Sequence, residues 1–149
     1  MRRRYKKELY AEKVGMIKQL MPHCCIGADV IVGFPGETEA DFKETVDFIS
    51  NLDISYLHVF TYSERSDTHA LSIKPVIPVE TRNSRNKILR NLSYEKMKTF
   101  TAQHLGQKRK VLFEHQNKNG MMEGYSDNYI KITIPYRSEF VNTIVDWVI

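Results

Sequence analysis

Apolar and polar positions recur along the chain with two different periods, and these periods predict its secondary structure. Over residues 5–21 apolar side chains return every three to five positions, which predicts a helix that ends before Pro22. Residues 26–34 are short, apolar and β-branched, as is typical of a buried strand. A second helix is expected to begin at Thr38, with Asp41 as a capping-box acid, and a second strand to cover residues 56–62.

The order helix, strand, helix, strand predicts an α/β fold, because strands that alternate with helices pair in parallel through right-handed crossovers. Two strands do not make a stable parallel sheet alone, so we interpret this part as a piece of a larger (β/α) barrel. A polar loop follows at residues 63–78. A long helix is then expected over residues 79–105, with candidate core positions at Ile88, Leu89, Leu92, Met97 and Phe100.

The pattern changes after Gly106, where short β-rich runs replace the helical spacing. Residues 111–113, 129–134 and 140–148 are β-rich, and turns are expected at Asn119-Gly120 and Asp127-Asn128. These features predict a small antiparallel β module. We therefore divide the chain into residues 1–105, part of a barrel, and residues 106–149, the β module.

Composition and charge limit the functional classes. The 149 residues contain no apolar run of 18 or more, so no transmembrane helix is expected, and the basic start lacks the apolar segment of a signal peptide. Only two cysteines occur, Cys24 and Cys25, which favours a reducing cytoplasm. The net charge of +4 divides into blocks of +5 (1–18), −6 (19–79), +7 (80–110) and −2 (111–149). The two basic blocks can attract nucleic-acid phosphates, or they can be solvated helix faces.

Candidate chemistry concentrates in residues 29–38, DVIVGFPGET, where a predicted strand turns into a helix. In α/β barrels the active site lies at the carboxyl ends of the strands. Gly33 and Gly36 let the backbone approach a ligand closely, and the helix that opens at Thr38 favours polar or anionic groups. A plain strand-to-helix turn would explain the same residues.

This stretch, together with residues 57–70 (LHVFTYSERSDTHA), resembles the radical-SAM methylthiotransferases. The opening MRRRY is similar to an internal segment of that family. The second motif keeps Tyr62, Ser63, Arg65, Thr68 and Ala70 of a usual YSxRxGTxA form, and it departs at Asp67, where glycine is usual, and at Ser66, where proline is common. The combination with residues 124–132 (GYSDNYIKI) looks most like the branch that acts on threonylcarbamoyladenosine in tRNA.

The resemblance implies a three-part enzyme, with an amino-terminal cluster domain, a central radical-SAM barrel and a carboxy-terminal RNA-binding β module called TRAM. It also implies S-adenosylmethionine and 4Fe-4S clusters as cofactors, used to place a methylthio group on the adenine C2. This chain lacks the CxxxCxxC motif of the barrel cluster. The cluster ligands are therefore expected outside it, and we interpret Cys24 and Cys25 as small buried hydrophobes.

The resemblance places two sets of residues at candidate sites. Those expected to border the S-adenosylmethionine pocket are Gly33, Phe34, Pro35, Gly36, Glu37, Thr38, Tyr62, Ser63 and Arg65; for Arg65 a salt bridge to Glu64 or Asp67 is the alternative. Those expected to contact the tRNA anticodon stem-loop are Arg2, Arg3, Arg4, Tyr5, Lys108, Arg109, Lys110, Tyr125, Tyr129 and Lys131, with Tyr136 and Arg137 as weaker candidates. An exposed helix start is the alternative for the first four.

Three functions are consistent with the sequence. The first is a fragment of the tRNA enzyme, cut at both ends, inactive alone and prone to associate through an exposed barrel edge. The second is a stand-alone RNA-binding module. The third is a related methylthiotransferase that acts on a ribosomal protein or on isopentenyladenosine in tRNA.

Overall fold

The computed structural model describes residues 6–116 and 119–149, and it divides into two compact units. Of the described residues, the first unit comprises those from 6 to Pro22 and Ile26–Lys98, and the second comprises His23–Cys25 and those from Thr99 to Ile149. The predictions for Arg2, Arg3, Arg4 and Tyr5 lie outside the described residues. Over those residues, no helix combines the length and apolar character needed to cross a membrane.

The first unit alternates helices with a parallel strand pair, as the sequence predicts. Its elements are α1 (Lys7–Leu20), β1 (Gly27–Val32), α2 (Glu39–Asn51), β2 (Tyr56–Thr61), a 3-10 turn (His69–Ser72) and α3 (Val79–Ala102), which continues into the second unit. The two strands pair in parallel, with Gly27 opposite Tyr56 and Val32 opposite Thr61. The α/β class is confirmed, while a closed barrel stays a prediction.

One face of this strand pair is covered by helices. The core joins Val32 and Leu57 of the strands to Val14 of α1, Phe42 and Ile49 of α2 and Leu89 of α3. The strands alternate between covered and uncovered positions because successive side chains point to opposite faces. On the other face of the pair, no helix of the described residues covers the alternate side chains, which are exposed.

Helix α3 also caps the outer edge of β2 with polar side chains. The Leu57 N–H donates to Ser93 Oγ (2.8 Å), and the Ser93 hydroxyl donates to Leu57 O (3.2 Å). Asn86 Nδ2 donates to Val59 O (3.1 Å). These side chains satisfy backbone groups that an unpaired strand would expose, so β2 is not an open edge.

The second unit is a small antiparallel sheet, as predicted, with four strands where the sequence showed three β-rich runs. Its strands are β3 (Lys108–Gln116), β4 (Met121–Ser126), β5 (Lys131–Pro135) and β6 (Ile144–Val148), in the order β5-β4-β3-β6, with a 3-10 turn at Ser138–Phe140. Phe113 is fully buried and packs against Phe140 and Trp147 (ring centroids 5.8 and 5.6 Å apart). The small antiparallel module is confirmed; its RNA-binding TRAM character stays a prediction.

Several sequence predictions were wrong in detail. Ile88 is 45% exposed, because its neighbour Leu89 takes the position against the core. Leu20, one of the recurring apolar residues of the predicted helix 5–21, is 81% exposed, and within α1 only Val14 is buried. Cys24 and Cys25 are half-buried rather than buried.

Candidate functional site

The turn at residues 33–38 is built from its own side chains. Thr38 caps α2: its hydroxyl accepts from the Asp41 N–H (3.1 Å) and donates to Asp41 Oδ2 (2.6 Å). The same carboxylate accepts from the Thr38 N–H (2.9 Å), which completes the predicted capping box. These hydrogen bonds, that to the Thr38 hydroxyl first, lower the pKa of Asp41 below its ordinary value.

Glu37 holds the turn to helix α3. Its Oε2 accepts from the Gly33 N–H (2.7 Å) and from Arg85 NH1 (2.7 Å). The other end of Arg85 donates to Glu39 Oε2 (2.9 Å), and its guanidinium lies over the Phe42 ring (5.2 Å). The Arg85 side chain is almost fully buried, so this ion pair fixes the loop to α3 rather than leaving Glu37 open to a ligand.

Gly33 is a glycine because Arg82 occupies the space where a side chain would lie. Its φ is +76°, and a Cβ built there would meet Arg82 Cγ at 2.3 Å. Arg82 cannot easily move, since it donates to Ile77 O (2.8 Å), Tyr62 O (2.9 Å) and Glu64 Oε1 (2.5 Å). The hydrogen bond to Glu64 raises the pKa of Arg82 and lowers that of Glu64. Glu64 is therefore occupied by Arg82, not by Arg65.

The structure brings Tyr62 to the turn and leaves Ser63 and Arg65 at the surface. Tyr62 extends the strand ladder, its N–H donating to Val32 O (2.8 Å), and its ring meets Phe34 edge-on (5.3 Å). Its hydroxyl is buried and has no hydrogen-bond partner among the described residues. Among the described residues Arg65 makes no ion pair, so the alternative interpretation, a salt bridge to Glu64 or Asp67, is not what the structure shows.

Asp67 explains how the second motif tolerates its departure from glycine. Its φ is +62°, in the left-handed region that glycine adopts without cost. Aspartate is among the residues that enter this region most readily. The turn therefore keeps the conformation that a glycine would favour.

The uncovered face of the strand pair is a feature that the sequence analysis did not assign as a site. We call it the bare face; its residues are Asp29, Ile31, His58 and Phe60, with Asp29 opposite His58 and Ile31 opposite Phe60. Ile31 is 39% exposed and Phe60 is 53% exposed. The signal that could have found it is the period-two alternation within each strand, since every second side chain must leave the helix-covered side.

A groove opens along the edge of β1 that faces away from β2. It has a volume of about 750 Å³ and is lined by residues of β1, by the α2 side chains Thr45 and Phe48, and by Lys7 and Tyr10 of α1. Among the described residues β1 pairs only with β2. The strand pair thus has an unpaired edge beside a partly apolar groove.

The predicted RNA contacts of the β module are largely engaged in ion pairs. Lys108 and Lys110 both lie near Asp146 (3.4 and 3.7 Å), and Lys131 contacts Glu123 (2.7 Å). The hydrogen bond to Glu123 raises the pKa of Lys131.

The remaining predicted contacts of the module form smaller groups. Arg109 is mostly buried and lies 3.6 Å from Asp127. Tyr125 and Tyr129 stack (5.0 Å, 24°). Arg137 lies over the Phe140 ring (5.4 Å), and Tyr136 is partly exposed.

The two expected cofactors fit the described residues differently. No three histidine, cysteine, aspartate or glutamate side chains of the described residues are grouped to hold a metal ion, so this part of the chain offers no cluster site. For a nucleoside the fit is partial. Glu37 and Thr38 are occupied internally, whereas the half-buried Phe34 ring and the unpartnered Tyr62 hydroxyl are able to contact a ligand.

Proteins similar to this chain are tRNA methylthiotransferases. Threonylcarbamoyladenosine tRNA methylthiotransferase MtaB of Bacillus subtilis is 34% identical over 97% of the chain, and that of Aquifex aeolicus is 39% identical over 89%. The tRNA-2-methylthio-N(6)-dimethylallyladenosine synthase of Lachnoclostridium phytofermentans is 35% identical over 97%. No family model matches the chain. The chain spans about a third of the length of these relatives (31–33%). The resemblance to methylthiotransferases is confirmed.

Proposed function

We propose that this chain, which belongs by sequence with the tRNA methylthiotransferases, is a segment of an enzyme that adds a methylthio group to threonylcarbamoyladenosine in tRNA by radical-SAM chemistry. The observation that carries the proposal is the bare face. Parallel sheets are normally covered on both faces, yet Ile31 and Phe60 are open on one side while helices cover the other. This arrangement is what is expected of two adjacent strands of a (β/α) barrel with the helices that cover their outer face.

The unpaired edge of β1 supports the same interpretation. Helix α3 caps the edge of β2 through Ser93 and Asn86, so further strands can pair only on the β1 side. That side has the groove lined by Thr45 and Phe48, where a neighbouring strand and its helix can pack. In this arrangement the bare face lines the barrel interior, and polypeptide outside this chain supplies the remaining strands and the cluster ligands.

This chain's contribution to cofactor binding is proposed to be limited to positioning. When bound, S-adenosylmethionine, with a cluster held by polypeptide outside this chain, would supply the radical chemistry of the modification. Phe34 packs against the nucleoside, and the Tyr62 hydroxyl hydrogen-bonds to it. Arg85, Glu37 and Arg82 keep the turn rigid, which holds Phe34 and Tyr62 in place. Ser63 and Arg65, which are exposed, stay proposed contacts of the same cofactor.

The choice of threonylcarbamoyladenosine as the substrate is part of the proposal, because the relatives are named for two different modified adenosines. The test is to delete the gene and to measure tRNA nucleosides by liquid chromatography and mass spectrometry. Loss of 2-methylthio-threonylcarbamoyladenosine, with the unmethylthiolated nucleoside retained and the gene on a plasmid restoring it, supports the proposal. Loss of the isopentenyl derivative instead selects the alternative substrate, and unchanged tRNA contradicts a tRNA enzyme.

A cytoplasmic location, an anticodon stem-loop partner and a TRAM-type RNA-binding role for residues 106–149 belong to the same proposal. The stacked pair Tyr125 and Tyr129 supports the last of these, since exposed aromatic rings can stack on unpaired bases. The acidic partners of Lys108, Lys110 and Lys131 weigh against a strong electrostatic role for the module.

A further inference from the structure

Helix α3 carries six basic residues, and the structure separates them into two groups of three. Arg82 and Arg85 are buried and hydrogen-bonded to Glu64 and to Glu37 and Glu39. Lys96 donates to the carbonyls of Ser50 (3.1 Å) and Leu52 (2.7 Å), and burial lowers its pKa. These three cations hold the first unit together.

The other three cations lie on the opposite side of the helix. Lys87, Arg90 and Lys98 are exposed, and among the described residues none of them has an ion-pair partner. They follow one another at steps of three and eight residues, so they share one stripe with Tyr94, which is 68% exposed. We call these four residues the α3 stripe. At about 1.5 Å per residue, it extends over roughly 16 Å.

This arrangement is not explained by the stability of the helix. Lys87 and Arg90 are like-charged neighbours three residues apart and repel one another, and among the described residues no ion pair offsets this, although the exposed Glu95 lies three residues before Lys98. Beside the stripe lies a shallow hollow of about 470 Å³, lined by Asn83, Asn86, Lys87, Arg90, Asn91 and Tyr94. Its lining therefore combines cations, amides and one aromatic ring, and it contains no acidic side chain.

We propose that the α3 stripe binds the phosphate backbone of RNA, and that Tyr94 stacks on a base or ribose next to it. Lysine, arginine, asparagine and tyrosine are among the side chains that contact phosphate and sugar in nucleic-acid complexes. An unpaired cation releases a counterion when it meets a phosphate, whereas Lys108, Lys110 and Lys131 must first give up Asp146 or Glu123. The identity of the RNA as tRNA rests on the proposed function.

The α3 stripe lies within the basic block 80–110, which the sequence already indicates can attract nucleic-acid phosphates. The individual RNA contacts predicted from the sequence lie in the β module and at the amino terminus, and none of them is a residue of the stripe. The module cations are paired, so the stripe is the described surface with the larger unneutralised positive charge. An acidic protein surface is the competing occupant, and the experiment includes it.

The test is fluorescence anisotropy of the 149-residue chain with labelled deacylated tRNA over a range of salt concentrations. The variant K87Q/R90Q/K98Q is compared with K108Q/K110Q/K131Q and with K6Q/K13Q/K43Q, which removes three exposed charges elsewhere in the first unit. We expect the stripe variant to bind about 10- to 100-fold more weakly, and its slope of log affinity against log salt to fall by about 2 to 3. Circular dichroism melting checks that all three variants fold.

Tyr94 provides an independent readout. Tyr94→Ala is expected to weaken binding about tenfold, while Tyr94→Phe, which keeps the ring, binds like the wild type. Neither change alters the salt slope, because no charge is removed.

Three results would overturn the inference: a stripe variant within twofold of wild type, a larger loss in the β-module variant, or equal binding of the wild-type chain to polyglutamate. A wild-type chain that fails to bind tRNA also overturns it. The proposed enzymatic function is then still judged separately, by the nucleoside analysis of the deletion strain.

Discussion

Replacing Gly33 with alanine tests whether this glycine is required by packing against Arg82. The new methyl group would lie 2.3 Å from Arg82 Cγ, and the residue would keep a φ of +76°. Left-handed backbone costs a non-glycine residue about 1–2 kcal/mol, and forcing a fixed side chain aside costs about 1–3 kcal/mol more. We therefore expect Gly33→Ala to lower the free energy of unfolding by roughly 2–5 kcal/mol.

Gly36 is the matched control in the same turn. Its φ is +84°, but an added Cβ would make only ordinary van der Waals contacts, with Ile73 Cγ2 at 3.5 Å and Lys74 O at 3.8 Å. Gly36→Ala should therefore show the backbone cost alone, about 1–2 kcal/mol. At Gly15, inside α1, an added Cβ would have no other atom within 4 Å, so an alanine there carries neither the backbone cost nor the packing cost. Gly15→Ala should therefore stabilise the helix by about 0.5–1 kcal/mol.

Urea unfolding followed by circular dichroism at a helix-sensitive wavelength measures the series, since the helices lie mainly in the first unit. In an Arg82→Ala background the extra cost of Gly33→Ala should fall to that of Gly36→Ala. If Gly33→Ala costs no more than Gly36→Ala in the wild-type background, the packing explanation is wrong. Gly33 would then be free to serve a ligand, as the sequence alone suggests.

Four further predictions test the turn and its surroundings. Arg85→Met should cost about 3 kcal/mol, because it leaves the mostly buried Glu37 carboxylate without its cation, whereas Glu37→Met should cost less, since Arg85 keeps Glu39. The double variant should cost much less than the sum of the two, and additive costs in urea unfolding would contradict this. Because the pKa of Asp41 is lowered on folding, its carboxylate stabilises the fold at pH values above its ordinary pKa of 3.8, and this stability is lost as the pH falls through the folded-state pKa. Asp41→Asn should therefore remove this part of the acid sensitivity. An unchanged pH profile of unfolding would count against the capping box. Asp67→Gly should change the free energy of unfolding by no more than about 0.5 kcal/mol, whereas Asp67→Val should lower it by at least about 1 kcal/mol. If the glycine and valine variants were equally stable, the φ of +62° at this position would not be a source of strain. Anaerobic addition of iron and sulfide to the chain should give no stable visible absorbance, and a persistent cluster spectrum would refute the expectation that the cluster ligands lie elsewhere.

The elements of the first unit could be predicted because local signals and burial agree there. Pro22 follows the end of α1, and the Thr38–Asp41 capping box starts α2 where the sequence places it. Strand β4 was missed: Met121–Ser126 contains Gly124, whose Cβ would lie 2.7 Å from Leu112 O. This glycine makes the segment resemble a turn, although close approach of the neighbouring strand is what requires it.

The candidate site was predictable in position but not in its contacts. The resemblance located residues 33–38 and Tyr62, and the structure brings Phe34 and Tyr62 together. The partners Arg82 and Arg85 come from helix α3, more than forty residues after the turn at 33–38 and about twenty after Tyr62, and their three-residue spacing in the sequence is typical of an ordinary solvated helix face. Which cations of α3 are buried and which are exposed depends on the tertiary packing of that helix, which a single sequence does not specify.

The most direct test of the barrel interpretation is thiol labelling of the bare face. Cysteines placed at Ile31 and Phe60, with Cys24 and Cys25 replaced by serine, would be labelled with a maleimide in this chain and in the full-length protein. The account predicts rapid labelling of both positions in the 149-residue chain, where they are exposed, and much slower labelling once the remaining polypeptide is present. Equal rates in the two proteins would contradict it, because the face would then be ordinary surface.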